Sequence, residues 1–145
     1  MRHRLLAFAL ICAAAPLAAQ SGKTYRARLS TVAIDVSMQA TVAGSGAVTA
    51  VRAGTKLTIT GTFEGLRSPA TAAQIHKGAV TGVRGPAILD LVATRATSGT
   101  IAGTVDLTPT LAQDLDKGRL YVQLDSEKAP EGNLWGWLLA PENKR

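Results

Sequence analysis

Short runs in which apolar and polar residues alternate dominate the chain, and helical periodicity is almost absent. Across residues 56–63, Leu57, Ile59 and Phe63 fall on one side with Gly61 between them, while Lys56, Thr58, Thr60 and Thr62 take the other. A period of two is the signature of a half-buried β-strand, because successive side chains of a strand point to opposite faces. Ile101, Val105 and Leu107 share a face with Gly103 in the same way, and Leu120, Val122 and Leu124 form the inward set of residues 119–125. Further strands are predicted over residues 25–30, 35–41, 46–51, 72–76, 87–93 and 133–139, making nine segments in all.

Turn residues separate the runs: Gly44-Ser45-Gly46, Ala53-Gly54-Thr55, the stretch 65–69, Thr97-Ser98-Gly99 and the stretch 129–132. One helix interrupts them. Thr108 can cap it, Pro109 suits a first helical position where the missing donor costs nothing, and Gly118 can end it. Leu107, Leu111 and Leu115 recur at four-residue spacing, so a short helix is predicted over residues 109–116. Many short strands, dense in Thr, Val, Ala and Gly, predict an all-β sandwich or barrel.

Part of the apolar content belongs to no strand. Residues 1–19 read as a secretory signal, with Arg2, His3 and Arg4 at the start, an apolar run over residues 5–15, and the small residues Ala18 and Ala19 before the expected cut. The segment is too short and wrongly flanked for a retained membrane anchor. Removing these nineteen residues from 145 leaves a mature chain of 126, read as one domain over residues 20–145. Cys12, the single cysteine, lies in the removed part and follows Ile11, where a lipoprotein signal would place a small residue. The mature chain therefore has no thiol for disulfides, thiolate catalysis or metal binding. Loss of Arg2 and Arg4 reduces 16 basic residues to 14 against 10 acidic ones, a charge of +4. With no basic run and few aromatics, nucleic acid is not an expected partner. The expected location is secreted or periplasmic.

Three segments of the second half form an ordered set. They are Ala72-Ala73-Gln74-Ile75-His76-Lys77-Gly78 with Gly85-Pro86 after it, Leu107-Thr108 through Gly118-Arg119-Leu120-Tyr121-Val122, and Pro130-Glu131-Gly132-Asn133-Leu134-Trp135-Gly136-Trp137-Leu138. Together, over roughly residues 24–139, they resemble the CHRD domain, named for chordin and found in many secreted microbial proteins. The resemblance implies an immunoglobulin-like antiparallel β-sandwich or barrel, distantly similar to copper-zinc superoxide dismutases. Family members often carry His-Ile-His where this chain has Gln74-Ile75-His76, and His-Thr where it has Asp125-Ser126. They carry Gly-Glu-Ile-Arg-Gly-Gln where it has the run from Gly132 to Trp137, and the usual Pro-Pro after the first strand is replaced by Ile34-Asp35-Val36-Ser37. The histidine and arginine replacements delete polar groups where chemistry would be sought.

His76 is the only histidine of the mature chain. As a metal ligand it could be joined by Asp125, but a zinc or copper site needs three or four ligands, and one imidazole with one carboxylate leaves it under-liganded. The competing reading, which the ligand count favours, has His76 capping a strand end and bonding to loop backbone within residues 77–86. Gln74 shares its strand face, so the two could line a polar pocket without a metal. Asp114, Asp116, Asp125, Glu127 and Glu131 read as a solvated helix surface and a hairpin loop, and Ser126 has no second histidine to activate it. No catalytic residue and no cofactor is predicted. Trp135 and Trp137, two apart, share one face. They could make a platform with Tyr121 and Gln123, or fill the space between two sheets, and a core with so few aromatics favours the filling role.

The expected function is that of an exported, non-enzymatic CHRD-like domain that binds a protein or envelope component. Its surface is expected at Gln74, His76, Arg84, Asp125, Glu131, Trp135 and Trp137. A metal-binding, superoxide-dismutase-like protein using copper or zinc and a carbohydrate-binding module are the alternatives.

Overall fold

The computed structural model describes residues 22–32 and 35–141. The expected signal, residues 1–19, and its cut after Ala19 lie outside the described residues. Among the described residues eight strands occur: β1 (Lys23–Thr31), β2 (Ser45–Ala53), β3 (Lys56–Glu64), β4 (Ala70–Lys77), β5 (Ala87–Ala93), β6 (Gly99–Asp106), β7 (Leu120–Ser126) and β8 (Ala129–Trp137). They close into an antiparallel barrel in the order β1-β2-β3-β6-β5-β4-β7-β8, so the all-β reading with one short helix holds.

Closure is uneven. β2 and β3 pair over nine residues, whereas β5 and β6 share only Val92↔Ala102 and Ala93↔Ile101. β1 and β8 meet at Ser30↔Trp135 and Thr31↔Leu134, with one further bridge at Arg26↔Leu139. The barrel is thus two sheets joined along two narrow seams, which is how sandwich and barrel descriptions meet in one molecule. At the β1–β8 seam the backbones nearly touch: a Cβ on Gly136 would overlap the Arg28 carbonyl oxygen and lie 2.9 Å from Leu29 Cδ2.

The alternating residues fill the interior. Leu57, Ile59 and Phe63 of β3, Ile101 of β6, and Leu120, Val122 and Leu124 of β7 are buried with Tyr25, Leu29, Ile75 and Leu134. One barrel end is covered by the helix α1 (Pro109–Asp116), on the predicted residues. Thr108 Oγ1 accepts from Leu111 N, Leu115 is buried, and Gly118 leaves the helix at φ 69°. Around α1 the charges are paired: Lys77 Nζ lies 2.7 Å from Asp114 Oδ2 and Arg119 Nη1 3.4 Å from its Oδ1. Asp114 is therefore a buried, ion-paired carboxylate and not part of a solvated helix surface. The Lys77 bond holds its pKa below the ordinary range against the opposing effect of burial.

Two local expectations are corrected. Residues 35–41 form no strand: Asp35 accepts from Met38 N and caps a 3-10 helix (Val36–Ala40) with Val36 left 81% exposed. The local side-chain bond gives the backbone an alternative to a ladder, and no strand needs Val36 inward. In the other case the last hairpin turns at residues 127–128, because Ser126 pairs with Ala129, so Glu131 lies in β8 and not in a hairpin loop. Gly132, at φ 129°, absorbs the irregular register between Leu124 and Ser126.

Candidate functional site

Antiparallel register sets the outer face of β4, β7 and β8 in rows. His76 stands opposite Tyr121 and Tyr121 opposite Trp137; Gln74 stands opposite Gln123 and Gln123 opposite Trp135; Ala72 stands opposite Asp125. Leu120, Val122 and Leu124 point into the barrel from the same strand, so β7 is buried on both faces. What covers its outer face is the loop of residues 78–86, which folds back over the sheet as a strap.

Named contacts pin the strap. Gly78 N donates to Arg119 O at 2.9 Å, Lys77 N to Pro86 O at 3.0 Å, and Thr81 Oγ1 to Gly118 O at 2.6 Å. The Tyr121 hydroxyl accepts from Gly85 N and donates to Gly85 O, each at 3.0 Å. His76 Nδ1 lies 2.9 Å from the same carbonyl, and since a carbonyl only accepts, Nδ1 carries the proton. Farther along, Arg84 donates to Gln123 Oε1 at 3.2 Å and to Glu131 O at 2.7 Å. Arg84 is thus a clamp on β7 and β8.

Beneath the strap lies an aromatic cluster. His76 stacks on Tyr121 with centroids 5.0 Å apart; Tyr121 meets Trp137 at 4.5 Å and Trp135 edge-on at 5.6 Å. The indoles contact each other at 5.9 Å. These rings lie outside the barrel, so the expectation that both tryptophans fill the core is overturned. Leu134 and Leu138 take the inward positions of this run, and the alternating parity leaves Trp135 and Trp137 outside, half-buried.

The structure brings together every residue expected at the surface. Gln74 donates to Asp90 Oδ1 at 3.0 Å, and Gln123 Nε2 donates to Asp125 Oδ1 at 2.9 Å and to Glu131 O at 3.3 Å. His76 is 8% exposed and bonds to loop backbone, the arrangement the ligand count favoured. Its Nε2 is buried without a hydrogen-bond partner. Among the described residues no three His, Cys, Asp or Glu side chains gather closely enough to hold a metal ion. His76 with Asp125 does not fit the donor set of a copper or zinc centre. Ser126, fully buried, accepts from Asn133 Nδ2 at 2.9 Å, a bond that ties β7 to β8. The sequence reading missed Arg26 and Arg28, which neighbour Trp137 across the β1–β8 seam. Their signal was two arginines on the outward parity of β1.

Asp125 is the electrostatically costly member. Burial raises its pKa above the ordinary carboxylate value, opposed by the Gln123 bond and by the charges of His76 and Arg84. The folded state therefore holds this proton more firmly than the unfolded chain does, and stability is lost as pH rises through the folded pKa. Asp125→Asn, which keeps an oxygen to accept from Gln123, is expected to raise the melting temperature at neutral pH by about 2 °C. That gain should vanish below the ordinary carboxylate range. Paired melts across acidic and neutral pH check this, and a gain that persists at low pH would contradict the burial argument.

No curated protein and no solved structure shows significant similarity to the chain. The family model of the CHRD domain matches residues 25–138, from the first buried tyrosine to the last barrel leucine. At family level such domains are binding or structural modules, generally without catalysis. With the match spanning most of the sequence and both sheets, the chain belongs to the CHRD domain family.

Proposed function

We propose that the chain is an exported recognition domain whose contact surface is the outer face of β4, β7 and β8 with its strap, working outside the cytoplasm on a protein or envelope component. One observation carries the reading: His76, Tyr121, Trp135 and Trp137 are assembled outside the apolar core, on a face roofed by a loop. The two partly exposed indoles, backed by the buried Tyr121 and His76 and set beside arginine and amide groups, have the composition of a binding hot spot. The signal-like residues 1–19 support export, and the binding or structural character of the CHRD family supports contact over turnover.

Both tryptophans of the chain stand on this face, so intrinsic emission reports it directly. A saturable emission change is expected with a solubilised envelope fraction, lost in Trp135→Phe combined with Arg84→Ala. Emission unmoved by every envelope fraction and by neutral oligosaccharides would refute the assignment. In parallel equilibrium dialysis, tight stoichiometric retention of copper or zinc that His76→Ala abolishes would favour the metal-binding alternative instead.

A further inference from the structure

A second surface lies across the β1–β8 seam and shares only Trp137 with the first. Arg26 and Arg28 point outward from β1, flanked on β2 by Thr49 and Ala47, their register partners. On the other side, Leu139 bridges to Arg26, and Trp137 falls opposite Arg28, between the Arg26↔Leu139 and Ser30↔Trp135 pairs. Each arginine thus stands between a large apolar side chain and a small one. The small side chains leave a trough of about 460 Å³ lined by these residues. It continues past Arg28 and Ala47 into a further 350 Å³ lined by Ser45, Thr62 and Glu64.

The charges here are unspent. Arg52 pairs with Asp116, Arg119 with Asp114, Arg67 bonds to Ala40 O, and Arg84 clamps the strap. Arg26 and Arg28, both exposed, make no side-chain hydrogen bond or ion pair among the described residues, and neither does Arg95 on the far side of the barrel. Two planar forks with ten N–H donors between them face one trough.

We propose that this trough docks an extended acidic peptide segment of a partner protein. Carboxylates two residues apart would pair with Arg26 and Arg28, and an apolar side chain would rest on Trp137 or Leu139. Period selects this occupant. Residues i and i+2 of a strand are about 6.8 Å apart on the same face, and a peptide lying extended along β1 has the same repeat. Glu64 in the continuation repels a polyanion such as a uronate chain or nucleic acid, while it accepts N–H donors from a peptide. Carboxylate meeting guanidinium in two parallel bonds then adds orientation to attraction.

The probe is a synthetic glutamate–threonine peptide with glutamates at i and i+2 and one leucine, against an isomer with glutamates at i and i+3, which an extended chain places on opposite faces. The first should change tryptophan emission saturably, weaken with salt, and bind at least about tenfold more tightly than the isomer. Arg26→Ser with Arg28→Ser should weaken it at least about tenfold while leaving the melting curve unchanged, because both side chains are exposed. Arg95→Ser, on the far side of the barrel, should leave it unaltered. Equal binding of the isomers, indifference to the arginine pair, or tighter binding of an oligouronate or single-stranded DNA would overturn the proposal.

Discussion

Gly85→Ala is expected to release the strap. A Cβ at this position would overlap the Lys77 carbonyl oxygen and lie 2.7 Å from the Lys77 carbonyl carbon and 3.2 Å from Gly78 Cα. All three are backbone atoms, and no side chain can swing aside to make room. Displacing Gly85 removes its partners together: both bonds to the Tyr121 hydroxyl and the one from His76 Nδ1. At about 1 kcal/mol each, the loss is about 3 kcal/mol, or about 10 °C in melting temperature. Water would then reach Tyr121 and Trp137, which an open Gly78 lets pack close: a Cβ there would lie 2.8 Å from Trp137 Cη2. A red shift of tryptophan emission and faster amide exchange at Lys77 and Gly78 should accompany the melt. An alanine variant with native emission and native melting would show that the strap does not depend on this close approach.

Asn133→Ala should cost as much for a different reason. Asn133 is fully buried; its Nδ2 donates to Ser126 Oγ, and its Oδ1 accepts from Ala43 N at 3.2 Å. One side chain ties the middle of β8 to the end of β7 and to the segment entering β2. Truncation leaves a hydroxyl and a backbone N–H unsatisfied and opens a small void, for about 3 kcal/mol. Ser126→Ala in the same background should recover part of that cost, since it removes the stranded hydroxyl. Chemical denaturation of the single and double variants measures the coupling, and strictly additive losses would deny that the two side chains act as a pair.

Two kinds of residue explain how far the sequence could be read. Leu57, Ile59 and Phe63, and likewise Leu120, Val122 and Leu124, declare their faces because a period of two, once one face is buried, admits a single register. Thr108, Pro109 and Gly118 declare the helix because capping is a local interaction. Asp35 and Val36 misled for the same reason, since alternation there coincided with a local cap that needs no partner strand. The turn at residues 127–128 carries no glycine, and the Pro-Glu-Gly run after it looks more like a turn than the two residues that make one.

Trp135 and Trp137 mark the limit. Their parity was legible, but which face is the inside depends on what covers the other, and the strap is a nonlocal answer set by Tyr121 meeting Gly85 across 36 residues. The same holds for Asp114, whose burial depends on Lys77 and Arg119 converging on it. For this protein the sequence alone determined the all-β class, most of the strands, the helix and the family, because those follow from local periodicity, caps and ordered motifs. Only the tertiary structure decided that the aromatic cluster lies outside the barrel, that His76 is held by backbone, and that Arg26 and Arg28 line a trough with Trp137. Those facts depend on closing β8 against β1 and folding the strap over β7, contacts between residues that are far apart in the chain.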